Sequence, residues 1–169
     1  VGEDGVTHHG VFDMAAFGAV PGLTIAAPMN EPELRNMMYT ALGSGHPFMI
    51  RYPRGHGEGL PWRGEKFETL PVGRGRRLRE GADVALLTVG TVGNAAARAA
   101  GRAAAEGVSV AHYDLRFVKP LDEALLDEVG RKFRRVVTVE DGSLRGGVGE
   151  AVAAFFNGRG YDVRVQRLG

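Results

Sequence analysis

No cysteine occurs among the 169 residues, which excludes a disulfide framework, a thiolate nucleophile and any cysteine metal site. No run of eighteen apolar residues exists, so a membrane-spanning helix is not expected. The acidic, glycine-rich beginning of the chain does not read as a secretory signal, and a cytoplasmic location is expected. Charge of one sign is also missing: 21 Lys and Arg face 20 Asp and Glu, a formal net charge of +1. That balance excludes an electrostatic nucleic-acid binder. The one basic run, Arg74-Gly75-Arg76-Arg77-Leu78-Arg79, lacks interleaved aromatics and reads as a solvated edge strand. Internal repeats and low-complexity segments are absent as well.

What remains is a globular composition, 44% hydrophobic and 24% charged, long enough for one domain and part of another. Strand and helix signals alternate, which predicts an α/β architecture with a mostly parallel sheet. Residues 12–20 read as a short helix and 23–27 as a buried strand stopped by Pro28. Asn30 with Glu33 three residues later forms a variant capping box. Behind it Leu34, Met37, Met38, Ala41 and Leu42 recur at helical spacing and are expected to form one apolar core stripe. A strand over 48–52 follows, and then aperiodic glycine, proline and charge around Trp62 mark a linker over 58–72. The second unit, 73–169, reads as strands at 84–89, 108–115, 135–139 and 162–165, with helices at 92–106, 121–133 and from Gly149 to about Phe156.

Two stretches carry chemistry. Gly2-Glu3-Asp4-Gly5-Val6-Thr7-His8-His9-Gly10 packs two histidines, an acid pair and glycines together, and a histidine near carboxylates can move protons near neutral pH. A surface loop whose histidines merely hydrogen-bond is the plainer account of such a pair. Metal binding by His8 and His9 is weaker, because adjacent histidines point apart and no third ligand has suitable spacing. Arg51-Tyr52-Pro53-Arg54-Gly55 sets two guanidiniums at a strand end, which suits an anionic substrate; for Arg51 a surface salt bridge is as good a reading. Gly90-Thr91-Val92-Gly93 and Gly146-Gly147-Val148-Gly149 each open a helix. Close helix-to-strand packing accounts for both better than nucleotide binding does, although the second run could cradle an anion.

With Asp114-Leu115-Arg116-Phe117-Val118-Lys119-Pro120-Leu121-Asp122-Glu123 and Val137-Thr138-Val139-Glu140-Asp141, these motifs resemble the thiamine diphosphate enzymes of the transketolase superfamily. His9, the Arg-Tyr-Pro-Arg-Gly string and the Arg-Phe-Val-Lys-Pro-Leu-Asp string are most similar to its 1-deoxy-D-xylulose-5-phosphate synthase family. The resemblance implies the later part of a pyrimidine-binding domain over 1–57, the linker over 58–72, and a transketolase C-terminal-like domain over 73–169, truncated at its end. It implies condensation of pyruvate with glyceraldehyde 3-phosphate and loss of carbon dioxide, feeding isoprenoid, thiamine and pyridoxal synthesis. His8 and Asp4 would be catalytic, and Arg54 and His9 would bind substrate, Arg54 gripping the phosphate. The main contacts to thiamine diphosphate and Mg2+ would lie in a preceding amino-terminal domain, since no Gly-Asp-Gly metal motif is present; the isolated chain would then be inactive. A homodimer, or association with that missing portion, is implied. The alternatives are a transketolase or pyruvate dehydrogenase beta-type subunit, against which His9 and Arg54 argue, and a noncatalytic assembly module.

Overall fold

The computed structural model describes residues 5, 8–64 and 66–169. In chain order the elements are α1 (Asp13–Gly18), β1 (Thr24–Ala26), α2 (Glu31–Gly43), β2 (Phe48–Ile50), β3 (Arg76–Arg79), β4 (Val84–Thr88), α3 (Val92–Ala105), β5 (Val110–Asp114), β6 (Phe117–Lys119), α4 (Glu123–Lys132), β7 (Arg135–Val139), α5 (Val148–Gly158) and β8 (Arg164–Leu168). They build two sheets, one ordered β2-β1-β6 and the other β3-β5-β4-β7-β8.

At the centre of the larger sheet, β4 and residues 136–139 of β7 are uninterrupted runs of β-branched and aliphatic residues, which suit strands covered on both faces. Alternate residues divide between its faces. Ala85, Leu87, Ala111, Tyr113 and Val136 meet Leu126 and Val129 of α4 and Val152 and Phe156 of α5. Leu86, Val110 and Val137 meet Ala96 and Ala100 of α3 on the other side. β5, β4, β7 and β8 run parallel, and β3 closes the edge antiparallel to β5. The basic run is thus the expected edge strand, with Arg76 held by Glu33 and Asp114 and Arg77 by Glu80 and Glu128.

The smaller sheet departs from the sequence reading. β1 pairs in parallel with β2, but its other edge is taken by β6, antiparallel, with Ile25 opposite Lys119 and Ala26 opposite Phe117. A segment inside 73–169 therefore completes the first unit's sheet. Phe117 is fully buried there beside Ala26, Met37 and Leu70, its ring edge-on to Phe48 at 6.4 Å between centroids. Burying a side chain of that size contributes about 1.5–3 kcal/mol.

Two further expectations change. Asn30 caps α2 by accepting from the Glu33 N–H at 3.1 Å, but the Glu33 carboxylate leaves the capping box to bind Arg116. The apolar stripe is core only in part: Met37 is fully buried, whereas Met38 is 55% and Leu42 87% exposed. Five apolar residues in nine cover a wider arc than the sheet covers, so the flank of the stripe stays outside.

The linker is not a free tether. It runs along α2, where Glu31 Oε1 accepts from the Gly59 N–H at 2.7 Å, Asn36 Oδ1 from Glu68 at 3.2 Å and Thr40 Oγ1 from Leu70 at 2.8 Å. Phe67 stacks on Tyr39 at 5.1 Å and lies under the Arg35 guanidinium at 4.0 Å, while Leu70 is buried. Backbone N–H groups from its own residue and then from Gly59, Glu58 and Leu60 hold the Glu31 carboxyl below the usual carboxylate range. Side chains of one helix thus hold a segment that has no periodicity of its own.

Candidate functional site

The candidate site residues stand at the carboxyl end of β2 and just before α1. Arg54 is exposed, in the loop that leaves β2, and His8 and His9 are exposed ahead of α1. The His8 N–H donates to the Gly5 carbonyl at 3.1 Å. Asp4 lies outside the described residues. A cavity of about 560 Å3 opens beside the arginine loop, lined by Pro53 and Gly55, Tyr52, His56, Asn30 of the α2 cap and Thr91. Arg54, His8 and His9 are not among its lining residues.

What holds these segments together is Arg51, a residue for which the sequence left two readings open. Its backbone N–H donates to the Ala26 carbonyl at 2.8 Å and so extends the β1–β2 ladder by one bond. Its Nε donates to both Asp13 carboxylate oxygens, at 3.1 and 2.9 Å, and Nη2 reaches Asp141 at 3.4 Å. The Arg51 side chain is 12% exposed, so its charge is balanced with little help from water. This is the salt-bridge reading, with a position that concerns the site: it joins α1, the end of β2 and the turn after β7. Sequence reasoning missed Asp13 and gave Asp141 no role beyond its place in a family string.

The second missed cluster lies between α2 and the larger sheet. Arg116 grips Glu33 with two parallel bonds, Nε to Oε2 and Nη2 to Oε1, both 2.8 Å. Arg76 bridges Glu33 at 2.9 Å and Asp114 at 3.1 Å, and Asp114 also accepts the Arg116 N–H at 3.0 Å. Burial pushes the Asp114 carboxyl up, against the pull of Arg76. Asp122 plays a similar part at α4, accepting from the Leu125 N–H, the Gly75 N–H and Arg74, all near 3 Å.

The Gly146–Gly149 run satisfies both of its readings. It cradles an anion, but the anion is the chain's own: Glu140, buried, accepts from the Val148 and Gly149 N–H groups at 2.8 Å each. A Cβ on Gly147 would come within 2.5 Å of that carboxylate, and one on Gly149 within 2.5 Å of Thr138 Oγ1. Gly93 likewise lets α3 approach Thr88 and Met29, so the packing reading holds there too.

Among the described residues, no group of three His, Asp or Glu could hold a metal ion, and no helix is long and apolar enough to cross a membrane. The α5 cradle is filled by Glu140, so that helix end does not fit a metal-bound diphosphate.

Comparison with known proteins agrees with this geometry. Residues 1–58 match the transketolase pyrimidine binding domain and residues 73–169 the transketolase C-terminal domain. The chain is 56% identical over 171 aligned residues to the 1-deoxy-D-xylulose-5-phosphate synthase of Bacteroides fragilis, covering 100% of this chain and 26% of that protein. It is 46% identical to the synthase of Symbiobacterium thermophilum, covering 99% and 26%. It spans about a quarter of the length of these curated relatives. A solved split gene transketolase, an inactive beta4 tetramer, superposes with a TM-score of 0.83 at 29% identity, over 95% of this chain and 52% of the other. Pichia stipitis transketolase, in its R356L variant, shares the fold at a TM-score of 0.69 and 22% identity, over 99% of this chain and 24% of the other. On these two matched segments, which together span most of its length, the chain belongs to the transketolase family.

Proposed function

We propose that this chain is the substrate-facing part of a thiamine diphosphate-dependent synthase that condenses pyruvate with glyceraldehyde 3-phosphate, releases carbon dioxide and makes a precursor for isoprenoids, thiamine and pyridoxal. The observation that carries the reading is identity of about half, across the whole chain, with curated synthases of that name. The cofactor would supply the carbanion chemistry. Its Mg2+ and diphosphate would be held by residues outside this chain.

The chain's own residues bind and move protons. Arg54, at the end of a strand, offers an always-charged forked donor to the aldehyde's phosphate. His8 takes and returns a proton at the reacting oxygens, Asp4 orients it or holds the acceptor's hydroxyl, and His9 supports that arrangement. The domains run as 1–57, 58–72 and 73–169, and the enzyme works in the cytoplasm as a homodimer or in association with the portion that binds the cofactor.

Replacing Arg54 by methionine in the intact polypeptide should raise KM for glyceraldehyde 3-phosphate at least about tenfold, the scale of one lost charge-assisted bond, and leave KM for pyruvate within about twofold. Unphosphorylated glyceraldehyde should be used equally by both forms, and the 169 residues alone should give no product. Equal losses for phosphorylated and unphosphorylated aldehyde would remove Arg54 from this role.

A further inference from the structure

We infer that Asp13 and Arg51 are positioning residues that fix the His8–His9 segment and the Arg54 loop relative to one another, with Asp141 tying both to the C-terminal unit. The importance of that alignment rests on the function proposed above; the alignment itself rests on contacts. Arg51 lies three residues before Arg54 on the same strand exit, and Asp13 lies five residues after His8 at the start of α1. One guanidinium therefore spans the two motifs, with bonds of 2.9 and 3.1 Å to Asp13 and 3.4 Å to Asp141.

Independent contacts press α1 onto the turn after β7. The Ser143 N–H donates to the Val11 carbonyl at 2.8 Å, buried Met14 packs so close to Gly142 that a Cβ there would meet its Cε at 2.4 Å, and Gly146 lies against Ala15. α1 has only six residues and little stability of its own, so its placement depends on these partners. Arginine suits the role because its Nε–H is shared by both Asp13 oxygens while Nη2, fixed in the same plane, reaches Asp141; a lysine would keep the charge and lose that fixed geometry.

The test is amide hydrogen exchange on the intact polypeptide, read with the NMR signals of the His8 imidazole and the Arg54 guanidinium. Arg51→Lys should speed exchange about tenfold in residues 8–18 and 51–56 together, leave β4 unchanged, and shift both side-chain signals. Asp13→Asn should do the same and Asp13→Glu should largely restore the pattern. Asp141→Asn, a milder cut at an exposed partner, should produce a smaller change in the same two segments, and Arg77→Lys on the far edge strand should produce none. A change in one segment alone, in neither, or uniformly across the molecule would overturn the assignment. Failure of the proposed reaction would show instead as absent turnover with this exchange pattern intact.

Discussion

Arg116→Met should lower the unfolding free energy by about 3–5 kcal/mol, the scale found when one member of a buried ion pair is removed and its partner left behind. Glu33 is the partner: its side chain is 7% exposed and takes two of its bonds from Arg116. Arg76 remains on Oε1, but its own side chain is 31% exposed and is shared with Asp114, so it compensates only partly. Backbone geometry pulls the other way. Arg116 sits at φ 58, a left-handed conformation that costs a non-glycine residue about 1 kcal/mol, and the structure retains it to aim the guanidinium at α2. Arg116→Gly should therefore cost less than Arg116→Met by roughly that amount. Adding Glu33→Leu to Arg116→Met should recover part of the loss, because no orphaned carboxylate then remains. Urea unfolding of the parent protein and the three variants checks this; a cost below about 1 kcal/mol for Arg116→Met would mean that water already satisfies Glu33.

Acid should destabilise the larger sheet through His112. Its side chain is 1% exposed, next to the Thr88 hydroxyl at 2.9 Å, and burial lowers its pKa from 6.5 to about 4. The folded state therefore binds fewer protons than the unfolded chain between those values. Stability from this group is complete above pH 6.5, falls as the pH drops toward 4, and then levels off, a loss of about 3 kcal/mol in all. His112→Gln should lower stability at pH 7 and flatten the slope between pH 6.5 and 4. Thermal midpoints of both proteins across that range test it, and parallel curves would place the acid sensitivity elsewhere.

The elements legible in the sequence are those whose signal is local. Short runs rich in β-branched and aliphatic residues marked β4 and β7, and Asn30 marked the start of α2. β6 was missed because three residues carry no period, and its partner Ala26 is about ninety residues away. The Glu33–Arg116 pair was missed for the same reason: eighty-three residues separate its members. Glu33 also had a good local explanation as a capping-box acid, and the tertiary partner won because an arginine fork binds a carboxylate more strongly than one backbone N–H. At the site, the motifs with His8 and Arg54 were legible through their resemblance to a family. The brace that connects them was not, since nothing near Arg51 in sequence distinguishes a guanidinium that meets substrate from one that meets Asp13.

The antiparallel β6 strand makes the two units mutually dependent in a way their tandem order conceals. The chain leaves the first sheet along α2 through 58–72 and returns to it at 117–119, so the path between the units is closed by covalent linkage on one side and by strand pairing on the other. A single protease cut near Trp62 should consequently yield two polypeptides that co-elute on gel filtration as one particle, and mixed halves should reassemble from denaturant. Shuffling the units among relatives would have to transfer residues 117–119 with the first unit, though they lie deep within the second.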